Sequence, residues 1–224
     1  MEKLGANILS DCNFIGSIIL RDGLTEIGEY AFYKCSKLET VVIPSSVTKI
    51  GSHAFAGSGL KSITLLDGRL TEIGEGTFHS CCDLENIIIP NMVTKIDPWA
   101  FTNSGLKSIT LLDGRLTEIG EGIFYECRKL ETAVIPETVT KIGRCAFAYS
   151  RLKSITLPDG LTEIEEYTFY SCRNLETIVI PKTVTKIGPY TFAYSGLKSI
   201  MLPHGVEIAE SAFRNCHNLV MKYS

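Results

Sequence analysis

LTEIGEYAFYKCSKLETVVIP, from Leu24 to Pro44, contains the pattern that decides the fold, because the chain repeats this pattern to its end. The clearest marker is the phenylalanine in the middle of the stretch. Its equivalents are Phe32, Phe55, Phe78, Phe101, Phe124, Phe147, Phe169, Phe192 and Phe213. Steps of 21–23 residues separate them, and this regularity is typical of a repeat array.

Each repeat changes its apolar period along its length. In Leu38-x-x-Val41-x-Ile43 the last two apolar residues alternate with period two, which indicates a short strand, and Pro44 ends it. The Ala-Phe-x-x-Cys step has helical-turn spacing but is too short for a stable helix, so it predicts a 3₁₀ or single-turn element. One strand and one turn cannot bury an apolar face alone. The repeats must therefore stack, at the strand spacing of about 4.8 Å.

The sequence thus predicts a repeat solenoid with a parallel sheet on one face and short strands or 3₁₀ turns on the other. Residues 1–23 are predicted to form an N-terminal half-rung or cap, and residues 24–224 an array of nine rungs. Alternate rungs differ in detail, and LKSITLLDGRLTEIGEG occurs identically at 60–76 and 106–122. The duplicated unit is therefore a pair of rungs, about 46 residues long.

Charge alternates from rung to rung at two positions of the repeat. One column reads Glu39, Lys61, Glu85, Lys107, Glu131, Lys153, Glu176 and Lys198. The other reads Glu26, Lys49, Glu72, Lys95, Glu118, Lys141, Glu163, Lys186 and Glu207. We expect each member to lie between two opposite charges, so that a slip of one rung would bring like charges together.

Composition excludes some classes of function. The chain has 22 Lys and Arg against 25 Asp and Glu, a net charge of −3, which argues against a surface built for nucleic acid or anionic lipid. No run of 18 apolar residues is present, so no membrane span is predicted. The sequence from Met1 to Phe14 lacks the pattern of an export signal, so a cytoplasmic location remains open.

Eight cysteines raise the question of disulfides. Six of them share one repeat position: Cys12, Cys35, Cys81, Cys127, Cys172 and Cys216. From Cys35 onward they recur on every second rung, which predicts a spacing of about 9–10 Å, too far for a bridge. Only Cys12 and Cys35 occupy successive rungs. We therefore expect at most one disulfide, between these two, and buried thiols elsewhere.

Candidate chemistry is sparse. His79-x-Cys81-Cys82 is the one local cluster that resembles a metal site, but it lacks a second pair of ligands, so no metal and no cofactor are predicted. The remaining histidines occupy different repeat positions, and no phosphate loop, nucleophile elbow or zinc-protease motif occurs. The sequence therefore predicts a protein that is not an enzyme.

The frame LxxIxxxAFxxCxxLxxIxIP, from Leu24 onward, resembles the BspA-like class of leucine-rich repeats, also called the TpLRR class. The Ala-Phe-x-x-Cys step and the proline after the strand carry the resemblance. It implies a curved, right-handed solenoid with a parallel sheet on its concave face. It also implies a secreted or cell-surface protein that adheres to host matrix or to other cells.

Two surfaces are candidate binding sites. The first is a group of exposed aromatics near the Ala-Phe turns: Tyr149, Tyr167, Tyr170, Tyr190 and Tyr194. Tyrosine provides a large contact area at low entropic cost, and the register predicts that Tyr167 and Tyr190 stack. The alternative is an uncharged strip of outward residues on the concave sheet: Thr110, Thr132, Val134, Ser154, Thr156, Thr177 and Val179. A purely structural role explains either set equally well. The tyrosines would cover the apolar turn of their own rung, and the β-branched residues of the strip favour strands.

The leading functional hypothesis is a protein-binding module that acts in adhesion or in host or cell-surface interaction. The alternative is an intracellular or self-assembling scaffold, because apolar residues in the terminal rungs predict dimers or end-to-end stacking. A designed, consensus-like repeat array is a third possibility.

Overall fold

A computed structural model of the chain describes residues 2–224, which form a parallel β-solenoid of about ten rungs. Each rung contributes a short strand to the back, and each except the one at residues 152–158 adds a strand to the concave face; no helix occurs among residues 2–224. The predicted solenoid, with its parallel sheet, is confirmed.

The strands of the two faces alternate along the chain, except that the back strands Lys141–Ile142 and Glu163–Ile164 follow each other. The concave strands are β2 (Ser17–Ile19), β4 (Thr40–Ile43), β6 (Ser62–Leu65), β8 (Asn86–Ile89), β10 (Ser108–Leu111), β12 (Thr132–Val134), β15 (Thr177–Val179), β17 (Ser199–Leu202) and β19 (Val220–Tyr223). The back strands are β1 (Glu2–Leu4), β3 (Leu24–Ile27), β5 (Lys49–Ile50), β7 (Glu72–Ile73), β9 (Lys95–Ile96), β11 (Glu118–Ile119), β13 (Lys141–Ile142), β14 (Glu163–Ile164), β16 (Lys186–Ile187) and β18 (Glu207–Ile208).

Residues 2–23 contribute strands to both faces. Strand β1 pairs with β3 and β2 pairs with β4, in parallel. Between them, the Leu9 amide donates to the Ala31 carbonyl, as the Phe32 amide donates to the Ala54 carbonyl one rung later. Leu9 thus takes the place that phenylalanine occupies in the later rungs.

The interior is a continuous stack of phenylalanine rings. Phe32 to Phe192 are fully buried, and neighbouring rings in the series from Phe32 to Phe213 lie 4.9–5.7 Å apart between centroids. The rings are nearly parallel because each leaves the backbone at the same point of its rung. Leu, Ile and Val side chains from both sets of strands pack around this stack.

The Ala-Phe segments are tight turns whose amides point alternately in two directions. The Tyr33 amide donates to the Tyr30 carbonyl three residues back, whereas the Phe32 amide donates to Ala54 on the next rung. Left-handed backbone occurs at Tyr30 (φ 53°) and Lys34 (φ 54°), at the two ends of this segment. These positive φ angles prevent the continuous 3₁₀ helix that is one of the two predicted forms.

The charge columns pair in a simpler way than predicted. In the first column, each lysine bonds the glutamate of the preceding rung only, as in Lys61–Glu39 at 2.7 Å and Lys107–Glu85 at 2.6 Å. In the second column, Glu72 contacts the lysines of both neighbouring rungs, Lys49 (3.0 Å) and Lys95 (3.8 Å). The rung spacing alone therefore does not prevent pairing on both sides.

The concave sheet is interrupted, and Arg151 explains the main interruption. Its hydrogen-bonded groups are β2-β4-β6, β8-β10-β12 and β15-β17-β19, and residues 152–158 form no strand. The residue at this position in the other even rungs is Gly59, Gly105 or Gly196, where an added Cβ would lie 2.0–2.2 Å from a carbonyl oxygen of the preceding rung. Arginine has this Cβ, so the rung that contains Arg151 cannot approach the preceding rung as closely.

The hydrogen bonds agree with this explanation. The Gly105 amide donates to the Cys81 carbonyl at 2.9 Å, and the Gly196 amide donates to Cys172 at 3.1 Å. The Arg151 amide makes no equivalent bond within residues 2–224. The predicted concave residues Ser154 and Thr156 therefore lie outside the hydrogen-bonded sheet, although both are exposed.

Candidate functional site

Aromatic rings form a continuous row across the Ala-Phe turns; of the tyrosines predicted to be exposed only Tyr194 is, and the others are half-buried. Consecutive members of the series Trp99, Tyr125, Tyr149, Tyr170 and Tyr194 meet edge to face, with centroids 5.3–5.7 Å apart. From Tyr125 onward the rings sit alternately one and two residues after the core phenylalanine, so successive rings meet at steep angles. This geometry is among the favoured arrangements of aromatic pairs.

A second pair of rings joins this row. Tyr167 and Tyr190 occupy the same position on successive rungs and stack at 5.1 Å with 8° between their planes, as the register predicts. Tyr167 also meets Tyr170 edge to face at 5.5 Å. We call the seven residues Trp99, Tyr125, Tyr149, Tyr167, Tyr170, Tyr190 and Tyr194 the aromatic ribbon.

The structure therefore brings all five predicted tyrosines into one patch and adds two residues to them. Trp99 and Tyr125 are aromatics of the same turns, but grouping the tyrosines by nearness in sequence leaves them out. The sequence does contain a pattern that would have added Tyr125. From Tyr125 to Tyr194, a tyrosine lies alternately one and two residues after the core phenylalanine.

Many ribbon residues adopt an uncommon backbone conformation. Tyr149, Tyr167, Tyr190 and Tyr194 have φ between 54° and 62°, and Trp99 has φ 61°. This left-handed region costs a bulky L-residue about 1–2 kcal/mol. Other rungs are left-handed at the same two positions. Residues there include Gly57, Gly76, Gly122, Asn103 and Asn215, but also Lys34, His53, Ser80, Glu126, Cys145 and Ser171. The conformation therefore belongs to the turn and does not by itself account for the tyrosines.

A shallow depression of about 230 Å³ lies within the ribbon. Tyr125, Tyr149, Tyr167 and Tyr170 line it together with Arg144, Cys145 and Ala148. The Arg144 guanidinium lies 5.9 Å from the centre of the Tyr167 ring and 3.2 Å from a Glu166 carboxylate oxygen. Burial raises the pKa of both Tyr125 and Tyr170, so their phenols stay protonated and can donate hydrogen bonds at neutral pH.

The concave strip differs from the ribbon in character. Val134 and Val179 are 57% and 66% exposed, and Thr132, Thr156 and Thr177 are also exposed. Thr110 and Ser154 belong to the same columns, and Thr110 is half-buried. The strip is uncharged and flat, and the loss of the strand at 152–158 divides it.

The cysteine column is part of the core. All eight cysteines, each within residues 2–224, are free thiols, including Cys12 and Cys35. The Cys81 sulfur lies 3.1 Å from the Phe55 carbonyl and 3.5 Å from the Ser58 hydroxyl, and Cys127 and Cys172 repeat both contacts. Burial raises the pKa of Cys81 and Cys172 to about 12, and that of Cys127 to about 11.

These contacts lead to a prediction about thiol reactivity. At pH 8, iodoacetamide should modify the exposed Cys82 within minutes, whereas Cys81, Cys127 and Cys172 should react only after the chain unfolds. Above pH 9 the unfolded chain holds fewer of these protons than the folded one, so the free energy of unfolding should fall as pH rises toward 12. Peptide mass mapping checks the labelling, and rapid native modification of Cys81 would contradict the buried register.

The residues considered for metal binding and catalysis do not converge. Cys81 points into the core, Cys82 is exposed, and burial lowers the pKa of the half-buried His79. His53 stacks on Tyr30 and His204 on Tyr223, in different parts of the solenoid. Between residues 2 and 224, no three His, Cys, Asp or Glu side chains are grouped as a metal site requires. In the same range, no helix has the length and apolar character that crossing a bilayer requires.

The stacked strands, the phenylalanine core and the repeat length together define a leucine-rich repeat solenoid. Residues 2–114 and 117–221 match the family model of the BspA type leucine rich repeat region, in six copies. The chain belongs to this family. No curated protein matches the sequence at a significant level.

Solved structures show the same fold. A leucine-rich repeat protein from Bacteroides ovatus superposes with a TM-score of 0.88 at 30% identity, over 100% of this chain and 58% of that one. The leucine-rich repeat protein TpLRR of T. pallidum gives 0.56 at 31% identity, over 80% and 76%. A leucine rich cell surface protein from Faecalibacterium prausnitzii gives 0.52 at 24% identity, over 99% and 83%. This chain thus spans less than two thirds of the length of the Bacteroides protein.

Proposed function

We propose that the chain binds a protein partner at a cell surface, in adhesion or host interaction, and that the aromatic ribbon is the contact surface. Leucine-rich repeat solenoids generally mediate protein interaction and are typically not enzymes. The cell-surface location is supported by the description of the Faecalibacterium neighbour and by the family. The proposal assigns the chain no catalytic step.

The observation that carries the proposal is the continuous cluster of seven aromatic rings in mutual contact on the turns. Their side chains are half-buried, except that of Tyr194, which is 41% exposed. Aromatic side chains of this kind supply most of the binding energy in many protein interfaces. A binding role explains why large aromatic rings are concentrated on turns whose backbone does not require them.

The ribbon is also the less interrupted of the two candidate surfaces. Its rings remain in contact from Trp99 to Tyr194, across the rungs where the concave sheet loses a strand. The protein surface that it can meet is correspondingly longer. A partner that fits it would present apolar or aromatic groups along the same length.

Paired variants test the choice of surface. The chain would be screened by surface plasmon resonance against matrix proteins, cell-surface glycans and itself. Tyr167→Gly with Tyr190→Gly should then weaken binding to the protein returned by the screen about 30-fold. The fold should survive, since Gly76 and Gly122 already occupy this repeat position.

The matched control places charge on the concave strip, as Thr156→Arg with Val179→Arg. This variant should bind almost as the unmodified chain does. Loss of binding in the control alone, with both variants folded by circular dichroism, would assign recognition to the concave face instead.

Self-assembly is a second candidate, and the terminal rungs favour it. Phe14 and Ile19 are 85% and 91% exposed at one end, and Val220, Met221 and Tyr223 of β19 are exposed at the other. Exposed strand edges template further pairing. If these ends associate, light scattering should show molar mass rising with protein concentration. A monomer throughout the concentration range would eliminate this candidate.

A further inference from the structure

Three arginines occupy one column of the solenoid on three successive rungs. Arg128, Arg151 and Arg173 each directly follow the core Cys or Ser, and all three are exposed. The other rungs place Asn13, Ser36, Gly59, Cys82, Gly105, Gly196 and His217 at this position. Members of the column on successive rungs lie within contact distance, since the Ser36 hydroxyl donates to the Asn13 side-chain oxygen at 2.7 Å.

The arginines line an open cleft of about 580 Å³. Tyr149, Ser150, Ser171 and Asn174 form the rest of its wall. The cleft lies on the rungs where Arg151 replaces glycine and the concave strand is lost. Arg151 therefore both widens the spacing of these rungs and contributes one of the positive charges of the cleft. We call this feature the arginine cleft.

The charge of the arginine cleft is incompletely neutralised. Elsewhere the lysines of the first charge column each bond a glutamate, at 2.6–2.7 Å. Within residues 2–224 Arg151 and Arg173 have no carboxylate within 4.0 Å, and Arg128 has only Glu126, at 3.4 Å. Lys129 adds a further positive charge next to Arg128. Adjacent like charges repel, so a bound anion would stabilise this column.

We propose that the arginine cleft binds a sulfated glycan. A guanidinium group presents two parallel N–H donors that match the oxygens of a sulfate group. Three of them on successive rungs repeat at about 5 Å, which suits an extended chain with sulfates on neighbouring sugars. The Tyr149 ring offers an apolar face for a sugar, and the Asn174 amide offers hydrogen bonds to its hydroxyls.

Nucleic acid is the less suitable polyanion. A duplex would extend far beyond three arginines, over a protein whose net charge is −3. The glycan proposal does not depend on the protein contact proposed above, since only Tyr149 belongs to both surfaces.

Binding of heparin and dextran sulfate, measured by isothermal titration at low and at physiological salt, tests the proposal. The variant Arg128→Ser, Arg151→Gly and Arg173→Ser takes residues that the repeat already uses at this position, so it should fold. It should bind both polymers about tenfold or more weakly. The control Arg21→Ser, Arg69→Ser and Arg115→Ser removes the same charge from exposed sites and should bind as the unmodified chain does.

Three outcomes would overturn the proposal. One is that the unmodified chain binds neither polymer at low salt. Another is an equal loss in the control, which would mean general electrostatic attraction. The third is equal binding of a DNA duplex or of polyglutamate. If Arg151→Gly alters the rung, the double variant Arg128→Ser with Arg173→Ser retains Arg151 and should still bind several-fold more weakly.

Discussion

Phe124→Ala should lower the free energy of unfolding by about 3–5 kcal/mol, because it removes a fully buried ring from the middle of the core. The Phe124 ring contacts Phe101 on one side and Phe147 on the other, with centroids 5.7 and 5.2 Å away. Neither neighbour can move into the gap without leaving its own rung, so the cavity should persist. Urea denaturation followed by circular dichroism measures the loss.

Phe14→Ala is the matched control for this prediction. Phe14 lies outside the stack and is 85% exposed, so its replacement should change stability by less than about 0.5 kcal/mol. Equal effects at both positions would mean that the rings do not form a continuous core. A repeat protein also permits partial unfolding, so coincident transitions from two spectroscopic signals are needed before free energies are compared.

Gly105→Ala should destabilise the chain by about 2–6 kcal/mol, a combination of steric overlap and a lost hydrogen bond. The new Cβ would lie 2.0 Å from the Cys82 carbonyl oxygen, which belongs to the backbone and cannot turn away. Separation of the rungs relieves the overlap but breaks the bond from the Gly105 amide to the Cys81 carbonyl. The rung that contains Arg151 shows the result of this adjustment, with strand pairing lost.

Gly5→Ala is the corresponding control. Nothing lies within 4 Å of its added Cβ, and its φ lies outside the left-handed region. Alanine there should leave the melting temperature unchanged or raise it slightly, since it restricts the unfolded chain. Thermal melts of the two variants distinguish a specific clash from a general sensitivity to glycine replacement. A Gly105→Ala protein as stable as the unmodified chain would contradict the rung spacing described above.

The regular repeat makes the core predictable from the sequence alone. The nearly constant spacing of the phenylalanines predicts that they stack, and the structure has the stack from Phe32 to Phe213. The pairing of Tyr167 with Tyr190 follows from the same register. Features that depend only on position within a rung can therefore be predicted from the sequence.

Features that depend on departures from the repeat cannot be predicted in the same way. The replacement of glycine by Arg151 is visible in the sequence, but its consequence requires the 2.0–2.2 Å approach seen at Gly59, Gly105 and Gly196. The left-handed backbone of the tyrosines is also hidden, because tyrosine does not signal positive φ. The single-sided pairing of Lys61 and Lys107 depends on side-chain reach and not on spacing.

The central claim is that the aromatic ribbon is the recognition surface, and hydroxyl-radical footprinting of the chain with and without its captured protein partner tests it most directly. The tyrosines of the ribbon and the valines of the concave strip are at least partly accessible in the free chain. The oxidation of each residue type therefore measures whether its own surface is covered. We expect the partner to protect Tyr149, Tyr170 and Tyr194 from oxidation while Val134 and Val179 remain as reactive as before. Protection of the two valines with unchanged oxidation of the tyrosines would contradict the claim.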